Sequence, residues 1–385
     1  MKSIYMDHSA TTPVDPEVFN AMIPYYTDIY GNASSVHTQG QKASRAVEQG
    51  REQVASLIGA SPSELIFTSG GTEADNQAII AYVMTNPQKG KHIITSAIEH
   101  HAVLHTCQFL AQQGYELTVL PVNPQGLVEN DTLRAALRPD TSLVSIMHAN
   151  NEVGTIENIP DLAAITHEAG AVFHTDAVQT VGKIPVNVKD LGIDLLSASA
   201  HKLYGPKGVG CLYIKKGTRI SNFMHGGGHE RNLRPGTVNV PGVAGFAKAA
   251  ELAGQRMADN QAHLKALGQR LKDGIFAAIP NTRLTGHPEQ RLPGSVSVCF
   301  DYVEGESILL MLDGFGIMAS SGSACTSGSL DPSHVLLALG LSHETAHGSL
   351  RLTMGKDNTQ EDVDYVLQVL PGVIKNLRLM SPLGQ

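Results

Sequence analysis

One lysine in this 385-residue sequence follows an apolar run and could act as a nucleophile. Lys202 follows the run 193–197 and comes just after the small residues Ser199 and Ala200. A lysine amine in a confined site can condense with an aldehyde to form a Schiff base. The alternative is an ordinary solvated lysine at a strand end, so Lys202 needs chemical partners before a function follows.

An acid ends a second apolar run. Asp176 follows residues 171–175, and Gln179 comes three residues later. Burying a carboxyl group at the end of an apolar strand is costly unless the group is paired. The position therefore predicts a cation or a helix N-terminus beside Asp176. Asn151 follows the preceding apolar run in the same way.

A glycine-containing turn at residues 68–73 lies between an apolar run and a helical pattern. Backbone N–H groups at the start of that helix, with the Thr72 hydroxyl, could bind an anion. An ordinary strand-to-helix turn is the alternative. The turn has neither a Walker lysine nor a GxGxxG pattern, so a nucleotide is not indicated.

Histidines follow the next apolar run, which ends at residue 95. His101 and His105 have the spacing of two metal ligands on one helix face, but the sequence offers no third ligand nearby. The neighbouring His100 could instead place its imidazole over the ring of a ligand. We expect no metal site here.

One cysteine stands apart from the other three. Cys325 lies in residues 319–329, where every side chain is small and uncharged, as expected of an accessible loop that presents a thiol. The remaining cysteines lie in predicted strands or a helix, where a packing role is favoured. They are Cys107, Cys211 and Cys299.

The segment 343–347, His-Glu-Thr-Ala-His, matches the HExxH signature of zinc peptidases. That chemistry requires both histidines on a sustained helix and a third ligand downstream. Gly348 follows the motif and a strand pattern starts at Ser349, so the sequence argues against the alternative of a zinc peptidase.

Seven apolar runs alternate with helical patterns in the first 215 residues, which predicts a doubly wound, mostly parallel sheet with helices on both faces. After about residue 240 a long helix and a smaller α+β pattern follow, with a closing helix that starts at Thr359. Ligands bind at the carboxyl ends of parallel strands, where the candidate residues lie. The predicted strands of the sheet are 65–68, 92–95, 116–122, 142–148, 171–175, 193–197 and 209–214.

Composition narrows the class further. The net charge is −8, which argues against direct nucleic-acid binding, and 42% of the residues are hydrophobic. No apolar run approaches the ~18 residues of a membrane span, and the N-terminus has no apolar signal segment. Four cysteines without a CxxC pair indicate a reducing compartment, so we expect a cytoplasmic protein.

In chain order, these features resemble the fold-type I pyridoxal-phosphate (PLP) enzymes, their class V group, and most closely the cysteine desulfurases of the IscS/NifS type. The resemblance implies a large PLP-binding domain over residues 15–250, with a mostly parallel seven-stranded sheet. It also implies a small α+β domain from residues 1–14 and 251–385, which carries the cysteine loop. The resembling segments are 6–13, 31–37, 68–76, 149–154, 197–210, 225–230 and 320–327.

The resemblance also implies how PLP is held. Lys202 would bind it covalently and then move protons at the substrate's α-carbon. Asp176 would pair with the pyridinium nitrogen, Gln179 would hydrogen-bond the phenolic oxygen, and His100 would stack on the ring and shuttle protons. The phosphate would be bound by Thr72, Ser199 and His201, with Thr237 from the partner subunit of a homodimer.

For the substrate, L-cysteine, the resemblance implies that Arg351 grips the carboxylate with help from Asn151. The Cys325 thiolate would attack the substrate's sulfur, leaving a persulfide on the enzyme and releasing L-alanine. The sulfur would pass to acceptor proteins such as an iron–sulfur scaffold, in cluster assembly or tRNA thiolation. A selenocysteine lyase or another class V enzyme is the near alternative, and a non-catalytic sulfur carrier is a more distant one.

Overall fold

The computed structural model of the protein describes residues 3–321 and 332–381. Its strands fall into a seven-stranded, a three-stranded and a two-stranded sheet. In chain order they are β1 (Ile4–Tyr5), β2 (Leu65–Thr68), β3 (His92–Ser96), β4 (Glu116–Leu120), β5 (Thr141–Ser145), β6 (Val172–Asp176), β7 (Leu195–Ser199), β8 (Gly210–Ile214), β9 (Thr282–Leu284), β10 (Ser295–Phe300), β11 (Ile317–Met318) and β12 (Ser349–Thr353).

Helices cover both faces of the large sheet and pack against the smaller sheets, and loops and turns connect them. They are α1 (Pro16–Met22), α2 (Pro24–Thr27), α3 (Thr38–Leu57), α4 (Gly71–Asn76), α5 (Tyr82–Thr85), α6 (His101–Gln112), α7 (Asn130–Ala136), α8 (Ile159–Glu168), α9 (Val240–Ala278), α10 (Gly305–Gly314), α11 (His334–Ala338), α12 (His343–His347) and α13 (Gln360–Met380). A π-helical turn, Gln77–Ala81, joins α4 to α5.

The seven-stranded sheet has the order β2-β8-β7-β6-β5-β3-β4. All its pairs are parallel except those of β8, which runs antiparallel to both β2 and β7. The predicted mostly parallel sheet is therefore confirmed. Its inner strands are buried along their length, as the continuous apolar runs predicted, and only the edge strand β4 is largely accessible.

Two predicted strand ends lie too far along the chain. β4 stops at Leu120 and β5 at Ser145, whereas the apolar runs suggested 122 and 148. Residues 146–148 stay buried beyond the end of β5, and the N–H groups of Ile146 and His148 still donate to carbonyl oxygens of β6. Apolarity reports burial rather than strand pairing, so it could not locate these ends.

A second hydrophobic core lies in the C-terminal part of the chain, under the antiparallel sheet β12-β10-β9 and the helices α10 and α13. The N-terminal strand β1 pairs with β11 and adds Ile4 and Met6 to this core. The closing helix α13 begins after a capping box of Thr359 and Asp362, where the sequence predicted its start.

Helix α9 connects the two cores. Its first part packs Val243, Phe246 and neighbours into the core of the large sheet, and its last part packs Leu271 and Ile275 into the second core. This distribution agrees with a large domain over 15–250 and a small one from 1–14 and 251–385; the exact boundaries stay a prediction. None of the helices in the described ranges is both long and apolar enough to cross a membrane.

Candidate active site

The carboxyl ends of the large sheet's strands border an open cavity of about 430 Å³. Its walls come from three sources: the strand ends, the N-terminal segment and strand β12. Apart from small or apolar side chains, the lining residues are Asp7, Ser9, Thr72, Asp75, His100, Asn151, Asp176, Gln179, Ser199, His201, Lys202 and Arg351. The cavity thus brings together nine of the eleven side chains predicted from sequence.

Lys202 lies at the bottom of this cavity on a short 3₁₀ turn, Ala200–Lys202, directly after β7. Its Nζ donates to the carbonyl oxygens of Ser9 at 2.5 Å and Ala10 at 2.8 Å. The N-terminal segment therefore holds the amine at the cavity wall. This is a confined strand-end lysine and not the solvated one of the alternative interpretation.

Asp176 ends β6 and is 7% exposed. Its Oδ1 accepts a hydrogen bond from the Val178 N–H at 2.9 Å. Burial raises the pKa of Asp176 to about 6, against the lowering effects of that hydrogen bond and of the Lys202 charge. A cation placed beside Asp176 would restore its ionised form.

Asp75, which the sequence analysis did not single out, is a second buried carboxyl group in the cavity wall. Its Oδ1 has no hydrogen-bond partner among the described residues, and the nearest imidazole nitrogen, His174 Nε2, is 3.7 Å away. Burial, followed by the negative charge of Asp176, raises the pKa of Asp75 well above its usual range. Two buried acids that form no ion pair with a lysine or arginine in the described ranges fit a cationic ring nitrogen.

The predicted anion-binding residues lie together at one end of the cavity. Thr72 is in the first turn of α4, and Ser199 and His201 flank the end of β7. A Cβ added to Gly71 would lie 2.7 Å from the Val178 side chain, so only glycine fits there. Burial, and then the charge of Lys202, lowers the pKa of His201 to about 4, so its imidazole is neutral.

Gln179 is held by two hydrogen bonds. Its Nε2 donates to the Ser9 carbonyl at 2.9 Å, and its Oε1 accepts from Lys183 Nζ at 2.9 Å. Ser9 O thus accepts from both Gln179 and Lys202. Lys183 is a further residue that the sequence analysis missed.

His100 caps the N-terminus of α6, where its Nδ1 accepts from the Ala102 N–H at 3.1 Å. The proton of the neutral ring therefore lies on Nε2. Burial, followed by the positive charge of Lys202, lowers the pKa of His100. The ring is thus a neutral imidazole in the cavity wall.

Arg351 comes from β12, on the opposite side of the cavity, and is 3% exposed. Its Nη2 pairs with Asp7 Oδ1 at 2.6 Å, and its Nη1 donates to the backbone oxygen of Asn151 at 3.1 Å. Its Nε has no partner among the described residues. A buried guanidinium with an unused donor that lines a cavity fits an incoming carboxylate.

Two predicted residues are not part of this wall. Thr237 is exposed and does not line the cavity. Cys325 lies outside the described residues. The chain on the N-terminal side of that gap is fixed beside Arg351, because Ser320 and Arg351 exchange backbone hydrogen bonds of 3.2 and 2.7 Å. On the other side, Ser333 donates to buried Glu152 at 2.5 Å.

The other three cysteines are buried, and burial raises the pKa of each thiol to about 12. They are unreactive packing residues. The 343–347 segment forms the five-residue helix α12, and β12 starts at Ser349, so the motif lacks a sustained helix. The described part of the chain contains no cluster of three side chains able to hold a metal ion.

Comparisons with known proteins identify the family of the chain. The family model for class-V aminotransferases matches residues 4–366. The chain belongs to the class-V aminotransferase family. It is 54% identical to the cysteine desulfurase IscS of Methanosarcina thermophila over 382 residues, covering 99% of this chain and 94% of that protein. It is 52% identical to the cysteine desulfurase IscS of Dictyoglomus turgidum, covering 100% of this chain and 98% of that protein.

Solved structures give the same result for the fold. A NifS-like protein superposes with a TM-score of 0.92 at 39% identity, covering 98% of this chain and 100% of that chain. The structure of SspA in complex with cysteine superposes with a TM-score of 0.81 at 35% identity, covering 93% and 100%.

The predicted resemblance to cysteine desulfurases, the fold-type I architecture and the PLP cofactor are therefore confirmed.

The residues that sequence reasoning missed are Asp7, Asp75 and Lys183. Asp7 and Asp75 stood inside the segments 6–13 and 68–76 that carried the resemblance, but no spacing rule marked them. Lys183 gave no signal at all, because a lone lysine in a loop normally lies in solvent.

Proposed function

We propose that this protein is a PLP-dependent cysteine desulfurase that converts L-cysteine to L-alanine and takes the sulfur as a persulfide on Cys325. The observation that carries the proposal is the meeting, in one cavity, of Lys202 and Asp176 with Arg351 on the facing wall. Relatives that share half of its sequence over their full length are named cysteine desulfurases.

The residues of the cavity fit PLP. Lys202 would hold its aldehyde carbon, the buried Asp176 its ring nitrogen, and Gln179 its phenolic oxygen. Thr72, Ser199 and His201 would bind its phosphate. When bound, PLP supplies a protonated ring that delocalises the electron pair left at the substrate's α-carbon.

Proton movement falls to Lys202 and His100. The Lys202 amine is held 2.5 Å from the Ser9 oxygen and is positioned to take the α-proton and return it. The neutral His100, with its proton on Nε2, can donate and recover a proton on the same side of the cavity. Substrate orientation falls to Arg351, whose Nε has no described partner, with Asn151 beside it.

Cys325 supplies the sulfur-transfer step. Its thiolate attacks the sulfur of L-cysteine: a new S–S bond forms, the substrate's Cβ–S bond breaks, and the bonding electrons stay with carbon. That carbon takes up a proton and becomes the methyl group of L-alanine. The persulfide is then passed to an acceptor protein, which we expect to be an iron–sulfur scaffold or a tRNA-thiolation partner in the cytoplasm.

A homodimer is part of the proposal. Large apolar side chains are exposed in the N-terminal part of the large domain: Phe19 by 56%, Tyr26 by 61%, Tyr30 by 71% and Val36 by 88%. An exposed apolar set of this size is typical of an interface. Thr237, exposed and outside its own cavity, would reach the phosphate site of the partner subunit.

The test is alanine and sulfide production from L-cysteine by purified holoenzyme, with Cys325→Ala as the deciding variant. We expect desulfurase turnover to fall at least about 10³-fold while the visible absorption of bound PLP is kept, because the nucleophile is lost and the cofactor site is not. Cys107→Ala, which removes a buried thiol of α6, should stay near wild-type activity. Wild-type turnover in Cys325→Ala would refute the assignment of Cys325. Relative rates with L-selenocysteine separate the desulfurase from a selenocysteine lyase.

A further inference from the structure

Lys183 lies behind the cavity and not in it. It is half-buried and lines a second, small cavity of about 50 Å³ that also reaches Lys202. Its Nζ donates to Gln179 Oε1 at 2.9 Å, and the charged groups that act on it among the described residues are the cations Lys202 and Arg351. A lysine held in the interior without an acidic partner requires an explanation, because burial opposes its charge.

The hydrogen bonds of Gln179 can be satisfied in only one amide orientation. An ammonium group can only donate, so the oxygen of the Gln179 amide must face Lys183. A carbonyl oxygen can only accept, so the amide nitrogen must face Ser9 O, to which it donates at 2.9 Å. The amide NH₂ group is thereby directed to the cavity side, and it carries a second hydrogen beyond the one that Ser9 accepts.

Without Lys183, that orientation loses one of its two determinants. The oxygen and nitrogen of an amide occupy nearly the same volume, so the side chain could turn over and direct its oxygen into the cavity. An oxygen there would repel any electron-rich atom of a ligand, whereas the NH₂ group would bind it.

We propose that Lys183 is a positioning residue that fixes the amide of Gln179, so that its NH₂ group donates to the phenolic oxygen of PLP and stabilises that oxygen as an anion. This inference rests on the proposed function, since it requires PLP in the cavity. Lys183 does not touch the cofactor; it acts through Gln179 and adds a positive charge behind it.

The electrostatics of the site agree with this role. Burial, and then the positive charges of Lys202 and Arg351, lower the pKa of Lys183 to about 7. The group therefore stands close to losing its proton in the protein alone. An anionic oxygen on the far side of Gln179 would offset the repulsion among these cations and favour the charged form of Lys183.

The experiment compares three holoenzyme variants: Lys183→Met, which keeps the length and removes the donors; Lys183→Arg, which keeps charge and donors; and Lys189→Met, an exposed control six residues further on. The readouts are the pH midpoint of the visible absorption band of bound PLP and the dissociation constant of PLP. For Lys183→Met we expect the midpoint to rise by about 1 pH unit and PLP to bind roughly tenfold more weakly. Lys183→Arg should keep both the midpoint and the PLP dissociation constant close to their wild-type values, and Lys189→Met should match the wild type.

A double-mutant cycle with Gln179→Leu tests whether Lys183 acts through Gln179. If it does, adding Lys183→Met to Gln179→Leu shifts the midpoint no further. Fully additive shifts, or a Lys183→Met midpoint equal to that of the wild type, would overturn the inference. A change in melting temperature alone, with an unmoved midpoint, assigns Lys183 a purely structural role and also overturns it.

The two levels of the proposal fail in different ways. If wild-type protein shows no visible band with PLP, or if Lys202→Ala keeps an unchanged band that borohydride still fixes to the chain, the proposed function fails. If the wild type binds PLP and titrates as expected but Lys183→Met leaves the midpoint unchanged, only the inference about Lys183 fails.

Discussion

The two walls of the cavity hold their charges in opposite ways. On the sheet wall, Asp176 and Asp75 are buried with no ion pair to a lysine or arginine within 4.0 Å among the described residues. On the facing wall, Arg351 is equally buried but already paired with Asp7 at 2.6 Å. The acids of the sheet wall thus lack a counter-ion until a cationic group binds beside them. Arg351 on the facing wall already has a counter-ion, which an incoming carboxylate can replace.

This difference suggests that the two walls bind different kinds of group. A site with uncompensated buried carboxyl groups gains most from a cationic group that stays, which fits a resident cofactor. A guanidinium that keeps its own counter-ion and one spare donor suits a carboxylate that binds and leaves in every turnover. The following substitutions test whether the walls really differ, in order of decreasing effect.

The largest effect is expected at the sheet wall from Lys202→Ala. Removing the amine abolishes covalent retention of PLP and the group that moves the α-proton, so turnover should fall at least about 10³-fold. Activity and borohydride fixation of PLP to the chain are measured together. Lys207→Ala, an exposed neighbour, is the control. Retained fixation in Lys202→Ala would contradict the assignment of Lys202 and with it the proposed function.

At the facing wall, Arg351→Gln should leave PLP binding intact and weaken the binding of L-cysteine. We expect PLP to stay bound and the KM for L-cysteine to rise about 10–100-fold, since a charge-assisted hydrogen bond to the carboxylate is lost. Steady-state kinetics and the visible spectrum give both numbers. Arg283→Gln, on the exposed strand β9, should change neither. Loss of PLP in Arg351→Gln would contradict the separation of the walls.

Asp7→Ala tests the counter-ion of the facing wall. It leaves a buried guanidinium unpaired, so the free energy of unfolding should fall by about 2 kcal/mol, and the KM for L-cysteine should rise as Arg351 loses its fixed orientation. Urea denaturation measures the first effect. Asp357→Ala, whose carboxylate is 70% exposed, is the matched control. A fully stable Asp7→Ala variant would mean that Arg351 needs no counter-ion.

The smallest effect is expected from Asp176→Asn in PLP-free protein. Because burial raises the pKa of Asp176 to about 6, the folded state binds more protons than the unfolded state between about pH 4 and 6. Stability from this group, coupled to Asp75, is therefore present below pH 4 and lost as the pH rises through 6.

Asp176→Asn should accordingly be more stable than the wild type by about 1–2 kcal/mol at pH 7, with no difference near pH 4. Denaturant unfolding at both pH values measures this, and exposed Asp190→Asn is the control. With PLP bound we expect the sign to reverse, because the ring nitrogen would then pair with the carboxylate. If the PLP-free wild type is more stable than Asp176→Asn at pH 7, the sheet wall already holds a counter-ion for Asp176.

Much of this arrangement was predictable. Continuous apolar runs predicted the seven strands because each inner strand is buried on both faces, and the parallel order placed Thr72, His100, Asp176 and Lys202 at one edge. The ends of β4 and β5 were not predictable, because the apolar residues of each run continue beyond the last residue of the strand. Asp75 was missed because an acid in a short helix is usually solvated, and no spacing in the sequence indicates that it is buried.

The sequence by itself determined the layered sheet and the family, and it predicted the chemistry of Lys202 and Cys325, because these follow from local patterns of residue type and spacing. Only the tertiary structure decided which side chains act together. Asp7 and Arg351 are 344 residues apart, and the Ser9 carbonyl accepts hydrogen bonds from Gln179 and Lys202, 170 and 193 residues further along the chain. Those contacts depend on how β1, β12 and the large sheet pack, and packing is a property of the whole chain.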